Sequence, residues 1–261
     1  MSRNYFFTFV VLNIVCFVSL YRQYSVVGQQ GKSCSPPHMF DTIQERLYKT
    51  ASTHVDKDRK EFTLSSWNRG SGGLDDSDRM LLGELYYNAN SVFEFGLGES
   101  TKIAAYVGVP RYAGVDSDAV WVKKARGDSK MDHFRFTFAD IGDTVEFGNP
   151  KNDKLQKIPY NYQIAPLIVE MDAFDVYLVD GRYRVSSACV SMLHAMRHGG
   201  NMSKVMVAIH DNHRETYQQF NKVADVVKKS NKLSVFRLKQ DITEDDIFKV
   251  WEKNTWDRGR R

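Results

Sequence analysis

Cysteine is scarce in this chain, with Cys16, Cys34 and Cys189 as the only three in 261 residues. So few, so widely spaced, exclude a disulfide framework or a cysteine-based zinc site. Cys189 falls at an apolar position of a helical repeat, where a buried and inert thiol is expected. Net charge is also small. At +4, with basic residues interleaved among acids except in the tail 257–261, the sequence lacks the basic stripe of a nucleic-acid binder. No internal repeat or low-complexity tract appears, and one globular domain of ordinary size is expected.

Charge is missing altogether from residues 5–20, YFFTFVVLNIVCFVSL, which lie between Arg3 and Arg22. The run is long enough for a short spanning helix and a little long for a signal-peptide core. It is apolar on every side, unlike the one-sided stripe of a buried soluble helix. Residues 1–21 are therefore read as a signal anchor inserted in the membrane through residues 5–21. Cleavage after Gly28, with Val26 and Gly28 as the small residues, is the alternative, and it would make the protein secreted. Residues 22–60 read as a stem and 61–261 as the domain. Arg3 and the amino terminus face Arg22 and Lys32 across the run, so charge hardly distinguishes the two orientations. With the amino terminus cytoplasmic, the domain is lumenal in the secretory pathway (Golgi or ER), and Asn201-Met202-Ser203 is a glycosylation sequon.

Within the domain, short apolar runs alternate with helical periods, which predicts an α/β fold. Strands are expected over SVFEFG, RYAGVD, HFRFTFAD, FDVYLVD, KVMVAIHD and LSVFRLK. Leu81, Leu82, Leu85, Tyr86 and Ala89 share one face of a helix whose acids mark its start. Further helices are expected over 100–107, 119–125, 163–171 and a segment with Val185, Cys189, Met192 and Met196 in register. An amphipathic helix is expected over RETYQQFNKVADVVKK, through Tyr217, Phe220, Val223, Ala224 and Val227. A last helix near 247–251 is capped by Thr243.

In an open parallel sheet a ligand lies outside the carboxyl ends of the strands, where the strand order reverses. Gly96 and Gly98 end the first strand, where missing side chains let backbone approach a ligand. A tight turn alone would also explain them. Asp116 ends the second strand, 18 positions after Gly98, where a carboxylate can accept hydrogen bonds from both hydroxyls of a ribose. A dinucleotide fingerprint would want a third glycine at the position of Thr101, for the pyrophosphate at the helix start. Glu94, two residues before Gly96, would repel phosphate and suit an ammonium group. Such a pocket suits a nucleoside carrying an amino acid.

Four motifs then follow in order over roughly 91–217: EFGLGEST, DSDAVW, VDGRYR and IHD. On these the sequence resembles the class I S-adenosylmethionine-dependent methyltransferases, in a branch with E-x-G-x-G-x-S-T and V-D-G-R motifs. The resemblance implies a Rossmann-like, mostly parallel sheet with helices on both faces, here preceded by the membrane anchor. It implies Glu94, Gly96 and Gly98 at the methionine end of the cofactor and Asp116 on the ribose. Asp140 would meet the adenine amino group, with Ile141 against the ring.

The implied reaction is methyl transfer, read here as O-methylation of an unidentified acceptor. If the domain is lumenal, glycan hydroxyls or uronic acids come within reach. Methyl transfer is an in-line displacement, so the protein positions the acceptor and removes its proton. In one arrangement His210 or Asp180 is the general base, and Arg182 or Arg184 pairs with an acidic group of the acceptor. In the other, Asp180, Asp211 and Asn212 hold a magnesium ion that acidifies the acceptor hydroxyl, as in catechol-type O-methyltransferases. The alternative reading of either arginine is a simple ion pair with Asp180 or Asp211. His194 and His198 are expected at a solvated helix face, and Trp121, Tyr112 and Phe134 in packing.

Two rival readings stand beside this one. Asp116-Ser117-Asp118 matches the D-x-D pattern of metal-dependent glycosyltransferases, which suits an anchored lumenal enzyme. Glu99, inside the glycine motif, suits a methyltransferase-like domain that has become a non-catalytic binding protein.

Overall fold

The computed structural model describes residues 59–67, 73–145, 148–151 and 160–257. The expected anchor, and the stem as far as residue 58, lie outside the described residues. Among the described residues no helix is long and apolar enough to cross a membrane.

Helix α1 (Asp76–Tyr87) starts at Asp75, whose carboxylate accepts the N–H of Asp78 at 2.9 Å. Leu82, Leu85 and Tyr86 form its buried face, as their spacing predicts. The chain continues through β1 (Ser91–Phe95), α2 (Glu99–Val107), β2 (Arg111–Asp116), α3 (Ala119–Ser129) and β3 (Arg135–Phe138). A small hairpin of β4 (Thr144–Val145) and β5 (Asn149–Pro150) follows, then two single turns, α4 (Tyr160–Gln163) and α5 (Ala165–Ile168), where one helix was expected. The second half contains β6 (Val176–Val179), α6 (Arg184–Arg197), β7 (Met206–Ile209), β8 (Ala224–Lys229), β9 (Ser234–Leu238) and α7 (Glu244–Asn254). Thr243 caps α7 as expected, its hydroxyl accepting from the N–H of Asp246 at 3.2 Å.

The main sheet has the order β3-β2-β1-β6-β7-β9-β8. The first five strands are parallel, β9 runs antiparallel to β7, and β8 is antiparallel to β9. The chain moves outward from β1 to β3 and then returns to β6 on the other side of β1. The strand order therefore reverses between β1 and β6, the point at which such sheets open a crevice. There the two strand ends touch. Gly96 has φ +94°, and a Cβ on it would stand 2.7 Å from the backbone nitrogen of Gly181.

The predicted amphipathic helix over 214–229 is not formed. A 3₁₀ segment, Glu215–Lys222, buries Tyr217 and Phe220, and the remainder is the edge strand β8. Tyr217 and Phe220 are three apart, a spacing that any helical turn satisfies. Beyond Val223 the β-branched pair Val226 and Val227 and the two lysines suit a charged sheet edge, paired from Ala224↔Leu238 to Lys229↔Ser234.

Strand β1 sorts the core into two layers by its alternation. Phe93 and Phe95 pack with Phe174 and Tyr177 on one face, while Val92 joins Leu82, Tyr86, Ile103 and Tyr112 on the other. Cys189 is buried in the first layer, and burial raises its thiol pKa well above the usual range, as expected for an inert cysteine.

Candidate functional site

A cleft of about 470 Å³ opens at the carboxyl ends of β1, β2, β6 and β7. The loop after β1 forms its floor. The Leu97 N–H donates to Asp116 Oδ2 and the Asp118 N–H to Asp116 Oδ1, both at 2.9 Å, so one carboxylate joins the glycine loop to the end of β2. Burial raises the Asp116 pKa to about 6 against the lowering effect of these two bonds. A Cβ added to Gly98 would meet no atom within 4 Å, so this stretch of backbone is open to whatever enters the cleft. Gly96 is required for a different reason, the approach of β6 described above.

Glu94 is not in the cleft. It faces the α1–α2 layer, fully buried, and accepts from the hydroxyls of Tyr86 and Tyr112 at 2.6 Å, Thr101 at 2.8 Å and Ser100 at 3.0 Å. Burial pushes its pKa up to about 7, although these four hydrogen bonds favour the ionised form. Glu94, expected at the methionine end of the cofactor, stands as a post that ties α1, β2 and the start of α2 together under the loop.

Asp140, expected at the adenine amino group, is outside the lining of the cleft. Its carboxylate accepts from the Gly142 N–H at 2.9 Å, closing its own turn, and Ile141 is sunk in the core. The wall on that side is Trp121, expected in packing, with the Lys124 ammonium 4.6 Å from its ring centroid. Tyr112 and Phe134 do pack, with stacked rings 4.2 Å apart.

Opposite the loop, the ends of β6 and β7 bring Asp180, His210 and Asp211 together. His210 Nδ1–H donates to Asp180 Oδ1 at 3.0 Å, and its Nε2 stands 3.4 Å from Oδ2 of the wholly buried Asp78. Burial alone would lower the imidazole pKa, but the charge and hydrogen bonds of Asp180 and Asp78 outweigh it and raise it to about 10. Burial opposes ionisation of Asp180 too, and the charges of His210 and Arg184 hold its pKa below the usual carboxylate value. His210 is therefore a paired cation near neutrality, which withdraws it as a free base.

The magnesium set does not assemble. Arg184 occupies the place of a cation between the two carboxylates, 3.1 Å from Asp180 and 3.4 Å from Asp211, and also donates to the carbonyls of Gly181 and His210. Arg214 takes Asp211 at 2.6 Å. Asn212 is buried outside the cleft. Among the described residues no group of three His, Cys, Asp or Glu side chains is placed to hold a metal.

The other VDGRYR arginine differs. Arg182 lines the cleft, half-buried, and donates from Nη1 to Asn149 Oδ1 at 2.7 Å. Sequence reasoning missed Asp78, legible only as one of several acids at a helix start. It also placed His194 in solvent. That ring is buried, accepts at Nδ1 from the Tyr177 hydroxyl at 2.7 Å and donates from Nε2 to the Glu170 carbonyl at 3.1 Å, and burial lowers its pKa to about 4.

The rival motifs find other uses. Asp118 Oδ1 accepts from the Val120 N–H at 2.8 Å as the cap of α3, and Asp116 is engaged by backbone, so the D-x-D pair closes loops. Glu99 is neutralised by Arg79 at 2.7 Å and held by the Trp67 indole N–H at 3.1 Å.

No family model matches the sequence, and no curated protein does. Among solved structures, a methyltransferase-like protein from Silicibacter pomeroyi is similar at 22% identity and TM-score 0.59, over 72% of this chain and 98% of that one. A methyltransferase from Podospora anserina, with S-adenosylhomocysteine bound, has 9% identity and TM-score 0.42 over 85% of this chain and 96% of its own, too loose to carry weight. The first likeness shows the fold: the described residues form the Rossmann-like, mostly parallel sheet of a methyltransferase-like protein.

Proposed function

We propose that this chain is an S-adenosylmethionine-dependent methyltransferase acting on an oxygen of its acceptor. The observation that carries the reading is the junction of Leu97 N–H with Asp116 Oδ2 on the floor of a cleft at the reversal of strand order. The fold of the Silicibacter protein agrees with it.

The residues present fit this cofactor. Gly98 leaves the loop open for the amino-acid end, and each Asp116 oxygen keeps a lone pair for a ribose hydroxyl beyond its bond to backbone. Trp121 offers a flat wall on the α3 side. Bound there, S-adenosylmethionine supplies a sulfonium methyl group as the electrophile.

Asp180 is the group that receives the acceptor's proton. Its Oδ1 is held by His210 and Arg184, while Oδ2 has no bond to the described residues and its side chain is 27% exposed. Its lowered pKa makes it a weak base, which suffices because the hydroxyl acidifies as its oxygen forms the new carbon bond. His210, fixed by Asp78, and Arg184 position it. No step runs through magnesium. In the same reading residues 1–21 anchor the domain to a membrane of the secretory pathway, with the domain in the lumen.

Calorimetry on the full-length chain in detergent tests the cofactor. Micromolar binding of S-adenosylhomocysteine that weakens by about tenfold or more in Asp116→Ala is expected from the loss of charged hydrogen bonds. A folded wild-type chain that binds none of it would sink the reading.

A further inference from the structure

Arg182 and Arg184 flank a single residue, yet their surroundings are opposite. Arg184 is buried with two carboxylates and three backbone carbonyls around it. Arg182 has no carboxylate within 4 Å among the described residues. Its one side-chain bond goes to the neutral amide oxygen of Asn149, and its Nε is buried with no hydrogen-bond acceptor. Burial and the like charge of Arg184 both work against its protonated form. A guanidinium stays charged in a protein, so that penalty remains in the folded state.

The other cations of the cleft are matched. His210 has Asp180 and Asp78, Arg184 and Arg214 share Asp211, and Lys102 stands 3.5 Å from Asp128. Lys124 and Lys232 are exposed to water. Arg182 alone is a half-buried positive charge with donors to spare. The planar fork of a guanidinium takes a carboxylate or phosphate with two parallel bonds.

We infer that Arg182 is an oxyanion subsite of the cleft, and that the acceptor carries an acid group, a carboxylate or a phosphate or sulfate ester, close to the oxygen that is methylated. The inference rests on the methyltransferase reading and adds the chemical class of the acceptor. Arg182 follows Asp180 at the end of β6, which sets the anion beside the proton-accepting carboxylate. The cofactor has a carboxylate of its own, and the test must separate the two sources.

Full-length protein in detergent, saturated with S-adenosylhomocysteine, is titrated with glucuronate and with inorganic phosphate, followed by ligand-observed proton and phosphorus NMR. Saturable binding is expected in the wild type, weaker by about tenfold or more in Arg182→Met, intermediate in Arg182→Lys, which keeps the charge without the fork, and unchanged in Lys124→Met. S-adenosylhomocysteine affinity is expected to be the same in Arg182→Met, which also shows that this variant folds. A wild type that binds S-adenosylhomocysteine but neither anion overturns the inference. So does an Arg182→Met variant that loses S-adenosylhomocysteine while keeping 5′-methylthioadenosine, which lacks the carboxylate, because the anion would then be the cofactor's. A wild type that binds no S-adenosylhomocysteine removes the methyltransferase reading itself, a distinguishable result.

Discussion

His210 is clamped between two carboxylates, Nδ1–H donating to Asp180 at 3.0 Å and Nε2 facing the buried Asp78 at 3.4 Å. The clamp ties α1 to the ends of β6 and β7 and fixes the Asp180 carboxylate at the mouth of the cleft. Its consequence is a proton that the folded state binds and the unfolded chain releases.

The folded pKa of His210, about 10, is above its ordinary value of 6.5. The clamp therefore contributes stability in full below about pH 6.5, and this is lost as pH rises toward 10. Asp78 and Asp180 are lowered and act in the opposite direction, contributing stability that disappears as pH falls below their usual range. Thermal unfolding from pH 6 to 10.5 is expected to show a falling alkaline limb in the wild type. The difference between wild type and His210→Gln should be greatest near pH 6.5 and shrink toward pH 10. A difference independent of pH would mean that His210 is neutral in the fold.

Glu94 yields a prediction that separates a post from a cofactor contact. Four hydroxyls donate to it in a fully buried site. Glu94→Ala removes the acceptor that all four share, leaving Tyr112 with Thr101 Oγ1 at 3.1 Å, and is expected to cost about 2–5 kcal/mol in urea unfolding. Glu94→Gln keeps an acceptor oxygen, lets a hydroxyl rotate toward the new amide, and should cost about 1 kcal/mol or less. S-adenosylhomocysteine affinity in Glu94→Gln should match the wild type. A drop of about tenfold, of the size a lost charged hydrogen bond produces, would put the carboxylate in contact with the ligand after all.

How much of this was legible in the sequence depends on the range of the interaction. The strand ends at Gly96, Asp116 and Asp180 were readable because an apolar run stops there. The direction of Glu94 was readable as well: strict alternation puts Val92 and Glu94 on one face and Phe93 and Phe95 on the other, which sends the carboxylate into the helix layer. A motif match hid that. Asp78 was not readable, because nothing near it in the chain announces His210. The roles of the two arginines were not readable either, since only the fold shows that Arg184 reaches Asp211 while Arg182 reaches Asn149. Strand β8 was lost because Val223, Ala224 and Val227 satisfy a helical period while the pairing partner, β9, lies ahead of them.

The placement of Arg184 predicts a reaction that needs no metal. Its guanidinium lies between Asp180 and Asp211, and a magnesium ion would have to displace a cation that five acceptors already hold. A chelator such as EDTA is expected to leave S-adenosylhomocysteine affinity and methyl transfer unchanged, and added magnesium is expected to stimulate neither. Activity that vanishes with EDTA and returns with magnesium would require Arg184 to swing out. Arg184→Ala would in that case bind magnesium more tightly.

Asn201 tests the membrane topology from the far end of the domain. It stands exposed in the turn between α6 and β7, at the amino end of β7, whereas the cleft opens at the carboxyl end. Its side-chain oxygen accepts from the Ser203 N–H at 3.2 Å and the Ser203 hydroxyl at 2.6 Å, so asparagine and serine already meet in one tight turn on the surface. A glycan attached there would leave the cleft clear. With the domain lumenal, the full-length chain made in mammalian cells is expected to migrate more slowly than its mass, to shift down with peptide N-glycosidase, and to lose that shift in Asn201→Gln. If the domain faces the cytosol, the sequon never meets the glycosylating machinery, and wild type and Asn201→Gln migrate alike. Glycan hydroxyls and uronic acids would then drop out as acceptors, while an acidic group for Arg182 would still be required of whatever small molecule or protein replaced them.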